Sequence, residues 1–310
     1  MSTSATSIAF FGPEGTFTEE ALLSVPDYRH ARLEPRATIA EVLEAVDSGD
    51  VAIGFVPVEN AIDGTVRDTL DALVLDFDLL IQREVVLDIH LHLMAVPGTE
   101  IDQVRRVLSF PVALAQCRKY LAANLPQAST AAANSTAEAA RCVGERGAQG
   151  DAAIAPRLSA ELYGLAVIAE DVEDYPGNQT RFIAVSRTGV PAPTGHDRTS
   201  IVCYQRSDRP GSLHGILGEF AARNINLTKL ESRPTKLGLG DYCFVIDLDG
   251  HLADEIVADC LRTLHAELAG VKFLGSYPAA GAHASARRRR AGKAWHEAEQ
   301  WLSKLRAQME

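Results

Sequence analysis

Apolar residues in the first 190 positions follow two patterns that alternate along the chain. Short continuous runs predict buried strands, whereas apolar residues that recur every three or four positions, as in 39–46, predict amphipathic helices. Because alternating strands and helices are typical of α/β proteins, we expect an α/β domain here. The strand-like runs lie at 8–11, 51–58, 107–109 and 152–155.

A different order follows residues 190–195, whose sequence Val-Pro-Ala-Pro-Thr-Gly has the composition of a linker. Beyond it the pattern predicts a βαββαβ sequence of elements, which is the ferredoxin-like arrangement. We therefore predict a first domain over 1–190, a second over 197–278 and a helical tail over 283–310. The six elements of the second domain are predicted at 199–206, 212–223, 226–233, 241–249, 254–268 and 271–277.

Composition narrows the possible partners and the compartment. The 310 residues include 41 acidic and 30 basic side chains, and this net charge of −11 argues against a nucleic-acid partner. The first residues lack a basic, signal-like region and no apolar run approaches the ~20 residues of a membrane span, so we expect a cytoplasmic protein without a membrane partner. The 5 cysteines are far apart and predict buried, reduced thiols.

The tail differs from the rest of the chain, since residues 283–310 carry 7 Lys or Arg against 3 Glu. The run Arg287–Arg290 could mark a nucleic-acid or membrane patch, but beside an acidic body it favours a solvated or self-docking tail. Helically spaced apolar residues predict that the tail docks on its own body or on a neighbouring subunit. They are Trp295, Ala298, Trp301 or Leu302, Leu305 and Met309.

The first chemical signal is a glycine-containing turn between a strand and a helix, Gly12-Pro-Glu-Gly-Thr16. The backbone N–H groups at such a helix start suit a carboxylate, and the alternative is a simple capped turn. The Gly-Lys-Ser/Thr ending of a nucleotide-binding loop is missing.

Three further segments carry polar residues at the ends of predicted elements. Glu59 and Asn60 end a predicted buried strand, at the edge where open α/β sheets bind ligands; alternatively they cap the next helix, for which Asp63 is also a candidate. Ser109 precedes a helical stretch that contains Gln116. The last segment follows a Pro-Gly turn, and alone it would indicate only a strand entry with an exposed arginine. It reads Asn178, Gln179, Thr180, Arg181, Phe182.

His90 and His92 lie on one face of a predicted strand, with a spacing that some metal sites use. Without a set of nearby carboxylates or cysteines to complete a metal site, hydrogen-bonding histidines are the favoured interpretation. We expect neither a metal nor any other cofactor.

The four polar segments that begin at Gly12, Glu59, Ser109 and Asn178 resemble, in order and content, the catalytic domain of the prephenate dehydratase family. The resemblance implies a two-lobed, periplasmic-binding-protein-like fold in which Thr180 is catalytic and Glu59 assists it. Ala61, Phe110 and Val112 depart from the family pattern, where a hydroxyl residue, His and Gln are usual. The implied substrate-binding residues are Thr16, Asn60, Ser109, Gln116, Asn178, Arg181 and Phe182.

The second domain resembles the ACT domain of the same family through Arg209-Pro-Gly-Ser-Leu213, Asn224-Ile-Asn-Leu227 and Glu231-Ser-Arg-Pro234. In this family two ACT domains pair and bind phenylalanine in their interface; a module used only for dimerisation is the alternative. The implied phenylalanine-binding residues are Gly211, Ser212, Leu213, Asn226, Leu227, Glu231 and Ser232.

The resemblance implies a monofunctional lyase that converts prephenate to phenylpyruvate, CO₂ and water and is inhibited by L-phenylalanine. Since 7 residues precede the first strand, we expect no fused chorismate mutase. We expect a homo-oligomer, a dimer at least and alternatively a tetramer. The open alternatives are an arogenate dehydratase and a non-enzymatic sensor of aromatic acids.

For the mechanism, Thr180 would hydrogen-bond the leaving hydroxyl. Glu59 would hold the transferable proton, because burial and a dianionic substrate both raise a carboxyl pKa. The rival role for Glu59 is that of an ionised group that orients Asn60 or the backbone.

Overall fold

The computed structural model describes residues 6–207, 209–236, 238, 241–280, 301, 304, 306 and 307. The chain divides into two compact units, Met1–Leu70 with Val85–Ile183 and Asp71–Glu84 with Ala184–Glu310. Its strands are β1 Ser7–Phe11, β2 Arg32–Arg36, β3 Ile53–Asn60, β4 Gly64–Thr65, β5 Leu80–Asp88, β6 His92–Ala95, β7 Arg106–Ser109, β8 Ser129–Ala132, β9 Asp151–Ala155, β10 Ala166–Ala169, β11 Gln179–Ser186, β12 Asp197–Tyr204, β13 Leu227–Pro234, β14 Tyr242–Asp249 and β15 Gly270–Pro278. Its α-helices are α1 Phe17–Leu23, α2 Ile39–Ser48, α3 Arg67–Asp71, α4 Pro111–Gln116, α5 Arg118–Asn124, α6 Thr136–Arg146, α7 Arg157–Tyr163, α8 Ser212–Ala222 and α9 Glu255–Glu267.

The first unit contains two α/β lobes. In the first lobe the strand order is β2-β1-β3-β11-β5, with β4 beside β3, and β1 pairs in parallel with both β2 and β3. Ile8, Phe10 and Phe55 are fully buried in this sheet, and α2 packs its Val42 and Leu43 face inward. The strand and helix predicted at 51–58 and 39–46 are thereby confirmed.

The second lobe has a five-stranded sheet in the order β10-β6-β9-β7-β8. β7 pairs in parallel with β8 and β9, whereas β6 runs antiparallel to β9. Every residue of β9 is buried, as a continuous apolar run predicts. The two-lobed α/β architecture expected from the sequence is therefore confirmed.

The second unit contains a four-stranded antiparallel sheet in the order β13-β14-β12-β15, with α8 and α9 packed on its core. The predicted βαββαβ order is confirmed, and each predicted boundary lies within a few residues of the observed one. Ile201, Phe220, Ile246 and Leu264 are at most 3% exposed and form its centre. The predicted tail helix over 283–310 falls almost entirely outside the described residues.

The second unit also contains Asp71–Glu84, a segment that begins at the last residue of α3 and includes the first half of β5. Lys272 donates to the Phe77 carbonyl at 2.9 Å, and the Tyr204 hydroxyl donates to the Val74 carbonyl at 3.0 Å. Arg233 Nε donates to Asp71 at 3.0 Å. These contacts explain why a segment from the middle of the first predicted domain groups with the C-terminal part of the chain.

Two expectations from composition can be compared with the structure. All five cysteines are free, and four of them are buried, which confirms the prediction of reduced interior thiols. Among the helices of the described residues, none has the length and apolar character that crossing a membrane requires.

Candidate active site

The hairpin between β3 and β4 presents the first polar groups of the site. Asn60 Oδ1 accepts hydrogen bonds from the backbone N–H groups of Ile62, at 2.9 Å, and Asp63, at 3.0 Å. Gly64 pairs with Asn60 across the turn and has a φ of 81°, a left-handed conformation that glycine adopts without strain. Because both backbone donors face Oδ1, the carboxamide must present its Nδ2 group on the opposite side.

That Nδ2 group donates to residues at the start of β11. Asn60 Nδ2 lies 2.9 Å from Asn178 Oδ1 and 2.9 Å from Thr180 Oγ. The Thr180 hydroxyl oxygen therefore acts as an acceptor, so its own proton points elsewhere. Among the described residues this is the one hydrogen bond recorded for the Thr180 side chain, which is 9% exposed.

Gln116, at the end of α4, continues the network into the second lobe. Its Nε2 donates to Asp63 Oδ2 at 2.8 Å, and its Oε1 accepts from Asn178 Nδ2 at 3.2 Å. The backbone carbonyl of Gln116 also accepts from the Asp174 backbone N–H at 2.6 Å. We call the hydrogen-bonded series Asp63, Gln116, Asn178, Asn60 and Thr180 the polar chain.

Glu59 and Arg181 form an ion pair beside the polar chain, with Arg181 Nη2 at 3.0 Å from Glu59 Oε2. The Arg181 side chain is 11% exposed and the Glu59 side chain 39%. The contact gives the Glu59 carboxylate a fixed partner, which supports the orienting role that the sequence analysis gave as the alternative to proton donation.

Two residues expected at the substrate are buried in the lobes instead. Ser109 is 0% exposed, and its hydroxyl donates to the Ile154 carbonyl at 2.6 Å. Phe182 is 1% exposed, and its ring stacks on Phe55 with the centroids 5.7 Å apart. Both residues belong to strands and turn their side chains into the packed interior, so the structure does not bring either into the polar chain.

Thr16 has a local role in the structure, because it is the N-cap of α1. Its hydroxyl accepts from the Glu19 backbone N–H at 3.4 Å, and the Glu19 carboxylate accepts from the Gly15 N–H at 2.5 Å. Burial is the main cause that raises the pKa of Glu19. These two contacts match the capped-turn alternative, and the role of Thr16 at the substrate stays a prediction.

The residues expected to bind phenylalanine cluster at two places in the second unit. Gly211 has a φ of 89° and directly precedes α8, which begins at Ser212. Leu213 and Leu227 are partly buried against the core, while Ser232 is exposed on β13. Two further contacts involve the remaining members: Asn226 donates to Asp249 at 2.8 Å, and Glu231 lies 3.6 Å from Lys229 and from Arg233.

The structure brings two carboxylates to His90 that are distant in sequence. His90 Nδ1 lies 3.0 Å from Asp171 and 3.6 Å from Glu173, and these three groups could hold a divalent ion. Direct contacts account for the cluster, since Glu173 also accepts from the Leu91 N–H at 2.9 Å. Burial lowers the pKa of His92, whose Nδ1 accepts from the Asp171 N–H at 3.2 Å.

Sequence reasoning gave Asp63 only a capping role and did not single out Asp174. The structure places the Asp63 carboxylate on Gln116, and Asp174 accepts from the N–H groups of Lys119 and Tyr120 at the start of α5. The Asp-Gly pair at 63–64 was the available signal, because such a turn presents a carboxylate at its tip.

Comparisons with known proteins agree with this geometry. Residues 8–189 match the family model described as prephenate dehydratase, and residues 199–266 match the ACT domain model. A prephenate dehydratase of Mycolicibacterium vanbaalenii is 44% identical over 285 residues, covering 87% of this chain and 90% of that protein. The crystal structure of a prephenate dehydratase from Arthrobacter aurescens in complex with L-Phe has a TM-score of 0.86 at 40% identity, covering 97% of this chain and 99% of that chain.

A further solved structure, GqqA, is described as a novel type of quorum quenching acylase. It has a TM-score of 0.80 at 31% identity and covers 88% of this chain and 98% of that chain. The two family models match the chain in the order predicted from the sequence, the catalytic domain before the ACT domain, and the first model covers more than half of the chain. The chain therefore belongs to the prephenate dehydratase family.

Proposed function

We propose that the protein is a prephenate dehydratase, a carbon–oxygen lyase that converts prephenate to phenylpyruvate, CO₂ and water in phenylalanine biosynthesis. The bond between the ring and its carboxylate breaks, its electron pair enters the ring, and the ring hydroxyl leaves with one added proton. The catalyst must therefore orient a dianion and assist a departing hydroxide. The supporting observation is the hydrogen bond from Asn60 to Thr180, which makes the Thr180 hydroxyl available as a donor.

In this proposal Thr180 donates a hydrogen bond to the departing oxygen. General acid assistance of this kind typically contributes about 10²–10⁴-fold to the rate, and orientation with electrostatic stabilisation supplies the rest. A threonine hydroxyl is a very weak acid. The proton that converts the departing hydroxide to water is therefore relayed from another group or from solvent. Arg181 pairs with the Glu59 carboxylate at 3.0 Å, so we assign Glu59 an orienting role.

The substrate carboxylates would be bound by amide groups of the polar chain. Gln116 Nε2 uses one N–H on Asp63, and Asn178 Nδ2 uses one on Gln116. Each amide nitrogen carries two N–H donors, so each retains one for an anionic ligand. Asn60 differs, because both of its Nδ2 donors are engaged by Asn178 and Thr180. We assign substrate binding to Gln116 and Asn178, and orientation of the catalytic hydroxyl to Asn60.

The ACT domain would sense L-phenylalanine, as the relative crystallised with L-Phe suggests. The expected residues are those named above near Gly211 and on β13. Pairing of two ACT domains would make the protein a homo-oligomer, a dimer at least. We further propose the domain limits 1–190 and 197–278 for the catalytic and regulatory domains, with residues 71–84 packed with the regulatory domain in one unit, and a cytoplasmic location.

The decisive experiment is an assay of phenylpyruvate formation from prephenate by the purified full chain, with and without L-phenylalanine. We expect turnover of prephenate and inhibition by L-phenylalanine; a coupling of about 1–3 kcal/mol corresponds to a 5–150-fold effect. Arogenate is tested in parallel, and faster turnover of arogenate would identify an arogenate dehydratase. Absence of turnover with both substrates would exclude a dehydratase and leave a sensor or an acylase like the structural relative.

A further inference from the structure

The direction of every hydrogen bond in the polar chain is fixed from its two ends. At one end the Asn60 carboxamide is oriented by two backbone N–H groups that can only donate. At the other end Asp63 Oδ2 accepts from Gln116 Nε2, and an ionised carboxylate can only accept. The amides between these ends have no freedom to flip without breaking a contact.

Asp63 sets the orientation of the second-lobe half of this chain. Because Gln116 Nε2 faces Asp63, Gln116 Oε1 must face Asn178 Nδ2, as its 3.2 Å contact shows. Asn178 must then present Oδ1 to Asn60 Nδ2, at 2.9 Å. If Gln116 were reversed, its Nε2 would meet Asn178 Nδ2, and relief of that clash by an Asn178 flip would set two donor groups against each other at Asn60.

We propose that Asp63 is a positioning residue for the dehydration reaction. Its carboxylate fixes the orientation of Gln116 and Asn178, so that Asn178 keeps accepting from Asn60 and no donor–donor clash at Asn60 Nδ2 disturbs its bond to Thr180. The Thr180 hydroxyl proton thereby stays directed at the substrate. This inference rests on the proposed function. It assigns Asp63 an effect on kcat, because the orientation of Thr180 matters in the transition state and not for substrate binding.

The test exchanges the donor and acceptor roles of the first pair. Asp63→Asn removes the acceptor-only group, so the orientation of Gln116 is no longer enforced; we expect kcat to fall about 10-fold and KM to rise by a smaller factor, because Gln116 and Asn178 also bind the substrate. Gln116→Glu places two carboxylates within 2.8 Å and should reduce kcat more, by about 100-fold.

The double variant Asp63→Asn/Gln116→Glu restores the original direction. The amide introduced at position 63 can donate to the carboxylate introduced at position 116, and that carboxylate can only accept from Asn178. We expect the kcat of the double variant to exceed that of Gln116→Glu alone by at least about 10-fold. Its KM should stay high, because the substrate-facing N–H of Gln116 is lost. Independent effects of the two substitutions would instead make the double variant slower than either single variant.

Asp88→Asn is the matched control. Asp88 accepts from Gln179 Nε2 at 2.7 Å, and Gln179 directly precedes Thr180 in the sequence but is not part of the polar chain. Its kcat should remain within about 2-fold of wild type. The inference is overturned if Asp63→Asn keeps the wild-type kcat, if it changes KM alone, or if the double variant is no faster than Gln116→Glu. Failure of the wild-type protein to form phenylpyruvate would instead refute the proposed function.

Discussion

Thr180→Val is the substitution that tests the proposed chemistry most directly. Valine has nearly the shape of threonine, so the change removes the hydroxyl from a side chain that is 9% exposed while its packing is kept. Loss of hydrogen-bond donation to the departing oxygen should lower kcat by about 10²–10⁴-fold. At 1.36 kcal/mol per decade this is about 2.7–5.4 kcal/mol of transition-state stabilisation.

The stability effect should be much smaller than the effect on the rate. The variant loses one hydrogen bond, that from Asn60 Nδ2 at 2.9 Å, while Nδ2 keeps its bond to Asn178. A hydrogen bond of this kind contributes about 1 kcal/mol to the free energy of unfolding. Steady-state assays of phenylpyruvate formation give kcat, and urea unfolding of the same samples gives the stability change.

Two further variants separate chemistry from folding. Thr180→Ser keeps the hydroxyl and should retain most of the rate. Thr69→Val removes a hydroxyl that is fully buried and donates to the Pro57 carbonyl at 2.6 Å, so it should lose stability but leave kcat nearly unchanged. The reasoning would be refuted by a Thr180→Val enzyme within about 10-fold of wild type in kcat, or by an equal loss in Thr180→Ser.

Four other predictions concern charge, packing and thiols. Glu59→Gln should keep the pH profile of kcat, because Glu59 orients Arg181 and does not supply the proton; loss of the limb on which kcat falls as pH rises, together with most of the rate, would identify Glu59 as the proton donor. Gly275→Ala should lower Tm, because its Cβ would lie 2.5 Å from the Ile81 carbonyl oxygen, whereas Gly218→Ala in α8 meets nothing within 4 Å and should leave Tm unchanged or raise it. A thiol reagent at pH 8 should label Cys142 rapidly and the other four cysteines only after denaturation; fast labelling of more than one would contradict the observed burial. Burial raises the pKa values of Cys117, Cys203 and Cys260 from 9.0 to about 12. The unfolded chain therefore loses these thiol protons at a lower pH than the folded protein, so the free energy of unfolding should fall as pH rises from 9.0 towards about 12.

Local patterns were sufficient for these elements but not for the convergence of the motif segments. The buried run at 51–58 and the βαββαβ order after the linker predicted β3 and the six elements from β12 to β15 to within a few residues. The polar residues that end β3 and begin β11 meet because these strands are neighbours in the sheet. That adjacency requires the sheet order, which a single sequence with its local periodicity does not contain.

Side-chain orientation was the part that the sequence could not provide. Ser109 ends a strand, as Asn60 does, yet its hydroxyl turns to the Ile154 carbonyl inside the second lobe. The bond between Asp63 and Gln116 joins residues 53 positions apart, and no periodicity relates them. Arg181 likewise looked like an exposed arginine until Glu59 was found 3.0 Å from its guanidinium.

The segment Asp71–Glu84 has a consequence for the modularity of this protein. Regulatory domains are often treated as cassettes that can be removed or exchanged at a single linker. Here the cassette is discontinuous, since the carbonyls of Val74 and Phe77 are hydrogen-bonded by Tyr204 and Lys272 from the C-terminal part of the same unit. A cut after residue 190 would leave these carbonyls without those donors. A chimera that borrows a regulatory domain from a relative should therefore also carry the relative's counterpart of residues 71–84.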